Sequence, residues 1–170
     1  MIASHTKERG SAPKKMPVAK TEIVDALQTS CRMHLTAVEH YTSIGEHLNR
    51  WGYAKLADRY RADVEEEREH LKAVMQRLEY FDVAPALDHK LPAWPRHDYM
   101  GILAANLLLE QGAAAVERAA VTLCRESGDE GSALVFAKLL GGSEESISLI
   151  ESATQVVSEI GLDNYLATFV

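Results

Sequence analysis

The sequence predicts an all-α fold: a four-helix bundle with one long crossover and a short fifth helix at the C-terminus. Three observations predict it. From Thr21 onward, apolar residues recur at steps of three and four, and almost nothing reads as strand. The breaks between the helical runs are short, long and short. Polar side chains interrupt the apolar seams at one common depth.

The first run extends from Thr21, a plausible N-cap, to about residue 49, where "RWGY" ends it. The second goes from Ala54 to about residue 81. "DVAPALDHKLPAWPRHD" then holds three prolines and no periodicity, so it is a connection. A third run starts at Asp98 and reaches about residue 125. After the turn "ESGDEGS" a fourth goes from about residue 132 to Ile160, Gly161 stops it, and "LDNYLATFV" is long enough for a short fifth helix. Short links make two antiparallel hairpins. The middle link of about 16 residues spans up to ~50 Å. A helix of about 28 residues is only ~42 Å long. The link can therefore run the full bundle length, which leaves the second and third helices parallel.

The chain has 170 residues, 46% of them hydrophobic, which fits one domain with a single core. No uninterrupted apolar run has the ~18 residues of a membrane-spanning helix, so no membrane partner is expected. The net charge of −7 argues against nucleic acid as the main partner. Residues 1–20 carry five Lys/Arg and one acid, leaving 13 basic and 24 acidic side chains on the rest. That start has no apolar signal core and reads as a disordered basic tail; a docking arm for anionic surfaces is the sharper alternative. The bundle domain is accordingly set at 21–170. Cys31 and Cys124 form no disulfide framework and fit small core positions in a reducing, cytoplasmic setting.

A core-facing seam can be assigned to each helix. Ionisable groups interrupt it at His34, Asp63, Glu67, His70, Glu110 and Glu117. Within "ADVEEEREHLKAVM", Glu67 and His70 stand three apart and point the same way. Alone they would be an ordinary surface pair. Helix rise, however, puts His34, Glu67 and His70 within roughly 5 Å of one level, with Glu110 at the same depth. Buried carboxylates are paired, protonated or metal-bound. Two imidazoles and two carboxylates suit iron, zinc or manganese better than calcium or magnesium. Tyr41 reads as a core tyrosine, Trp51 and Trp94 as packing anchors, and His40, His47 and His89 as surface residues.

The residues resemble bacterioferritin, the haem-carrying branch of the ferritins, over about residues 22–170. Besides "EREH", the resemblance rests on "LTAVEHY", "NRWGYAKLADRY", "APALD", "LLLEQGA" and "GLDNYL". It implies the ferritin-like form of the bundle and a cytoplasmic, twenty-four-subunit cage that oxidises Fe(II) and stores ferric mineral. The family's dinuclear centre takes a Glu from the first helix, Glu-x-x-His from the second, a Glu from the third and Glu-x-x-His from the fourth. Glu67, His70 and Glu110 match that pattern. His34 stands where a Glu is expected, and Ser143 and Ser146 where Glu and His are expected. Two irons about 3.5–4 Å apart need bridging carboxylates, and serine hydroxyls do not replace them. A one-residue slip near Gly141 and Gly142 would turn Glu144 inward. The position of the family's haem-ligating Met holds Arg68, whose guanidinium cannot donate to iron, so haem is not expected on this chain. Two Arg68 side chains facing across a two-fold would repel unless Glu65 or Glu69 pairs with them.

Three functions are compatible with this pattern. The first is an iron-storage cage subunit with a degenerate ferroxidase centre, co-assembling with a catalytically complete bacterioferritin subunit. The second is a self-assembling ferritin-like protein in which His34, Glu67 and His70, with Glu110 nearby, hold one metal. That metal would be iron, or zinc in vitro, and the protein would oxidise iron itself. The third is a metal-free helical scaffold.

Overall fold

A computed structural model describes residues 18–90, 93–94 and 98–170. Residues 1–17, and with them most of the expected basic tail, lie outside the described residues. Five helices follow in order: α1 (Val18–Arg50), α2 (Ala54–Tyr80), α3 (Tyr99–Glu126), α4 (Glu130–Ile160) and α5 (Leu162–Ala167). No strand occurs among the described residues. The predicted bundle and its short fifth helix are present. One boundary differs: α1 begins at Val18, so Thr21 lies inside the helix rather than capping it.

Local chemistry explains the other ends. Gly52 turns the chain between α1 and α2 at φ 93, a left-handed value that a side chain would strain. Asp98 caps α3 by accepting from the Gly101 amide at 3.0 Å. Asp129 caps α4 through the Ser132 amide at 3.1 Å. Gly161, at φ 84, separates α4 from α5.

The crossover is laid along α1 by side chains of α1 itself. Gln28 donates to the Ala84 carbonyl at 2.7 Å and accepts from the Ala86 amide at 2.6 Å. Further along, Arg32 donates to Asp88 at 3.1 Å, and Glu39 meets His89 at 2.9 Å. Trp94 then lies edge-on to His47, near the far end of α1. The link thus travels the length of α1, and α3 starts at the end where α2 started. That makes α2 and α3 parallel. α5 closes the same end: the Lys55 amide donates to the Phe169 carbonyl at 3.3 Å, and Arg59 lies over the Phe169 ring.

The apolar interior has two parts. One gathers Ile23, Leu27, Cys31, Val74, Leu78, Cys124, Phe136 and Leu139. The other gathers Ile44, Leu48, Leu56, Tyr60, Tyr99, Ile102, Val157, Tyr165 and Leu166. Buried polar groups lie between them. Several positions differ from the single seam assigned to each helix. Asp63 is exposed, and the buried face of α1 is wider, taking in Ile23, Ala37, His40 and Ile44. His40 is fully buried rather than on the surface, while His47 and His89 are half-buried. Among the described residues, α3 is long and apolar enough to cross a membrane by length and composition. It also buries Asn106, Glu110 and Glu117 within the bundle, as a core helix does.

Two predictions follow from this packing. Phe136→Ala removes a fully buried ring and should lower stability by about 3–5 kcal/mol in denaturant melts, against no measurable change for the exposed Val170→Ala. At the α3–α4 turn, partial burial opposes ionisation of Asp129. Bonds from the Ser132 hydroxyl and amide and the Arg77 guanidinium outweigh it and hold the carboxyl below its usual range. Its folded pKa is thus below its unfolded one. The stabilisation is present above the unfolded carboxylate range and is lost as pH falls through the folded value. Asp129→Asn should therefore flatten the acid limb of a stability–pH curve and leave the slope near neutrality unchanged.

Candidate metal centre

His34, Glu67 and His70 come together in the layer between the two apolar clusters, all buried, each offering a ligand atom within 4.8 Å of the others. Glu67 and His70 face inward from one turn of α2, and His34 meets them from α1. The His34 Nδ1 lies 2.7 Å from Glu67 Oε2, and the His70 Nδ1 lies 3.8 Å from Glu67 Oε1. The two imidazoles meet edge to face, with centroids 5.3 Å apart. His70 packs against the backbone of α4: a Cβ on Gly142 would fall 2.8 Å from His70 Cε1. Glycine at 142 is what lets the ring lie there.

Glu110 is buried in the same layer but outside that three-residue cluster. Its carboxylate accepts from the Tyr41 hydroxyl in a short hydrogen bond. Glu117, on α3, is also buried, with Oε1 3.5 Å from His34 Nε2. One imidazole therefore stands between two carboxylates. Sequence reasoning placed Glu117 on the seam without joining it to His34. The signal was there, because a carboxylate at an inward position needs a partner.

Electrostatics follow from these contacts. Burial opposes a charge on His34, but the facing Glu117 carboxylate and the hydrogen bond and negative charge of Glu67 outweigh it and raise the pKa to about 9. Burial would raise Glu67, yet His34 and His70 hold it at about 2. Glu110 is pushed up to about 7 by burial and by the charge of Glu67, although the Tyr41 bond works the other way. Exposed Asp63 rises to about 6 through partial desolvation and the neighbouring Glu66 and Glu67.

The fourth helix contributes differently. Ser143 is buried in the layer and Ser146 half-buried. Glu144 is exposed and accepts from Arg118 at 2.7 Å, so the one-residue slip that would turn it inward does not occur. Ser146 lines a cavity of about 80 Å³ together with Asp63, Glu66 and Glu67, leading from acidic surface toward the layer. On the outer face of α2, Arg68 is exposed and donates to Glu65. That pairing answers the like-charge objection to two copies meeting there.

His40 forms a second buried group that sequence reasoning missed. Its Nε2 lies 2.9 Å from Asn106 Oδ1, and Asn106 donates to the Tyr60 hydroxyl at 2.8 Å. This network touches the Tyr41 ring and supports the layer from the α5 side.

A model of the ferritin-like domain matches residues 24–160. The chain belongs to the ferritin family. Curated relatives of this ferritin-family chain include a bacterioferritin of Brucella melitensis, 28% identical over 144 residues, covering 85% of this chain and 89% of the relative. A bacterial ferritin of Pseudomonas aeruginosa is 27% identical over 146 residues, covering 85% and 94%. Among solved structures, Mycobacterium tuberculosis bacterioferritin BfrA superimposes with a TM-score of 0.84 at 23% identity, covering 88% of this chain and 94% of that one. This last likeness establishes the bundle and its connectivity.

The donor set His34, Glu67 and His70 of this ferritin fits a metal ion. His70 Nδ1 and His34 Nε2 are buried with no hydrogen-bond partner among the described residues. One ring nitrogen from each of His34 and His70 and a Glu67 oxygen form a compact N,N,O set that suits a borderline divalent ion. Among the described residues, α4 brings the hydroxyls of Ser143 and Ser146 to this layer, with Glu144 and Glu145 exposed. Gly142→Ala should push the His70 ring aside and weaken Co(II) or Zn(II) uptake. Gly141→Ala, whose Cβ would meet nothing within 4 Å, should leave uptake unchanged and stabilise the helix by up to about 1 kcal/mol. Metal titration and thermal melts of the two variants check both outcomes.

Proposed function

We propose that this chain is a bacterioferritin-like subunit of an iron-storage cage, with a ferroxidase centre reduced to a site for a single ion, and that it co-assembles with a catalytically complete subunit. One observation carries the reading. At the depth where α1, α2 and α3 supply His34, Glu67, His70 and Glu110, α4 supplies Ser143 and Ser146, and its nearest carboxylate, Glu144, is engaged outside by Arg118. The relatives named bacterioferritin and the span of the ferritin-like domain support the storage role. Iron is then cargo delivered to a shell, and the complete partner oxidises it. Arg68, paired with Glu65, offers no haem ligand from this side.

His34, Glu67 and His70 would hold the single ion, which acts as a Lewis acid or one-electron centre when bound. His34 must release its Nδ1 proton to admit it, because that proton lies between the imidazole and Glu67. Tyr41 keeps its hydroxyl proton on the bond to Glu110, and Leu149 and Ile150 border the cavity beside Ser146.

The native chain expressed alone should bind one Co(II), Zn(II) or Fe(II) per subunit; His70→Ala should abolish that uptake, and His34→Ala, which leaves Glu67 and His70 in place, should weaken it strongly while leaving it measurable. Ser143→Glu with Ser146→His should raise the stoichiometry to two and accelerate Fe(II) oxidation, adding His34→Glu if the pair needs a third bridge. Co-expression with a complete bacterioferritin subunit should give mixed cages by native mass spectrometry. Two Fe(II) oxidised per subunit by the unmodified chain alone, at the rate of a complete ferritin, would sink this reading.

A further inference from the structure

We infer that Glu117 is a positioning residue that aims His34 at the metal, forming a carboxylate–histidine–metal relay that replaces the first-helix glutamate of the ferritin pattern. The inference rests on the single-ion reading of His34, Glu67 and His70. The ferritin pattern places its α3 carboxylate at 110, and 117 lies two turns further along the helix, about 10 Å by helix rise. Glu117 is 1% exposed, as deeply buried as the core leucines around it. Its Oε1 lies 3.5 Å from His34 Nε2, and its Oε2 has no hydrogen-bond partner among the described residues. His34 Nε2 is likewise without a closed hydrogen bond. The two groups stand at ion-pair distance, on the side of the ring away from Glu67.

Geometry divides the imidazole between two duties. Nδ1 faces Glu67 Oε2 at 2.7 Å and the His70 side of the cluster. Nε2 faces Glu117. A histidine that ligates through one ring nitrogen commonly donates its other N–H to a carboxylate, which fixes tautomer and ring orientation and strengthens the ligand. When Nδ1 gives up its proton, Nε2 keeps one, and Glu117 is the acceptor in place for it. A histidine at position 34 is shorter in negative charge than the glutamate it replaces, and Glu117 restores that charge one atom-shell further out. A carboxylate at 117 thus matches a histidine at 34.

The test is a Co(II) titration followed by absorption spectroscopy, with Zn(II) competition, on the assembled native protein and on E117Q, E117D, H34A and H34A/E117Q. E117Q keeps the shape of the side chain and removes its charge. It should keep one ion per subunit, weaken binding about 10–100-fold and shift the ligand-field bands. E117D should fall between E117Q and the native protein, and it carries the test if E117Q does not assemble. In the H34A background E117Q should change nothing further. Native affinity and spectrum in E117Q, or an equal penalty with His34 absent, overturn the inference. So does loss of a metal-bound oxygen in E117Q by X-ray absorption, which would make Glu117 a ligand. Metal uptake by the native protein with indifference to position 117 defeats this inference alone. No Co(II) uptake by the native protein defeats the single-ion reading, and this inference with it.

Discussion

The contact on which the rest depends is the buried pair of His34 and Glu67, with Glu117 on the other side of the ring. A polar layer divides the apolar interior in two, and a divided core is tolerable only if the layer satisfies itself. An unpartnered buried carboxylate costs several kcal/mol, comparable to much of a domain's net stability. His34 meets this requirement because its charge is held by two carboxylates from two helices. The same contact ties α1 to α2 and α3 at mid-height, far from any turn. Layer and bundle are therefore one problem: moving any of these helices along its axis breaks the charge match.

The supporting shell follows from that constraint. Glu110 would be a further negative charge in a confined space, and burial together with Glu67 drives it toward the neutral form, with Tyr41 as its hydrogen-bond partner. Asn106 is held from both ends, by His40 and by Tyr60. On the α4 side there is little to hold. Ser143 is small, Gly142 admits the His70 ring, and the chain's remaining acids there turn outward. The layer is asymmetric, crowded with ionisable groups on three helices and nearly vacant of them on the fourth.

How much of this the sequence discloses depends on the physical signal. Helix number and connectivity were legible because periodicity and link length are local properties of the chain, and the length of residues 82–98 permits the parallel arrangement of α2 and α3 that is found. Inward placement of Glu67 and His70 could be read from their spacing along one turn. Less legible was the width of a buried face. α1 buries adjacent stripes, through Ile23, Ser30, Ala37 and Ile44 as well as Leu27, Cys31, His34 and Tyr41, so His40 was assigned to solvent. Asp63 was assigned to the core because a heptad seam ignores how far two helices splay. Glu117 was visible as a residue but not as a partner, because depth counts compare backbone levels, whereas the imidazole of His34 extends toward the next level.

This last gap shows where the chemistry of the site has moved. A ferritin layer built on glutamates is an excess of negative charge waiting for cations. In the proposed reading His34 stands in place of the α1 glutamate and Ser143 and Ser146 in place of the α4 ligands, so the layer carries less of that excess, and the His34 imidazole brings a positive charge of its own near neutrality. An ion entering the layer therefore competes with a proton on His34. In the proposed reading, structural self-sufficiency and weakened iron chemistry are the same substitution seen from two sides.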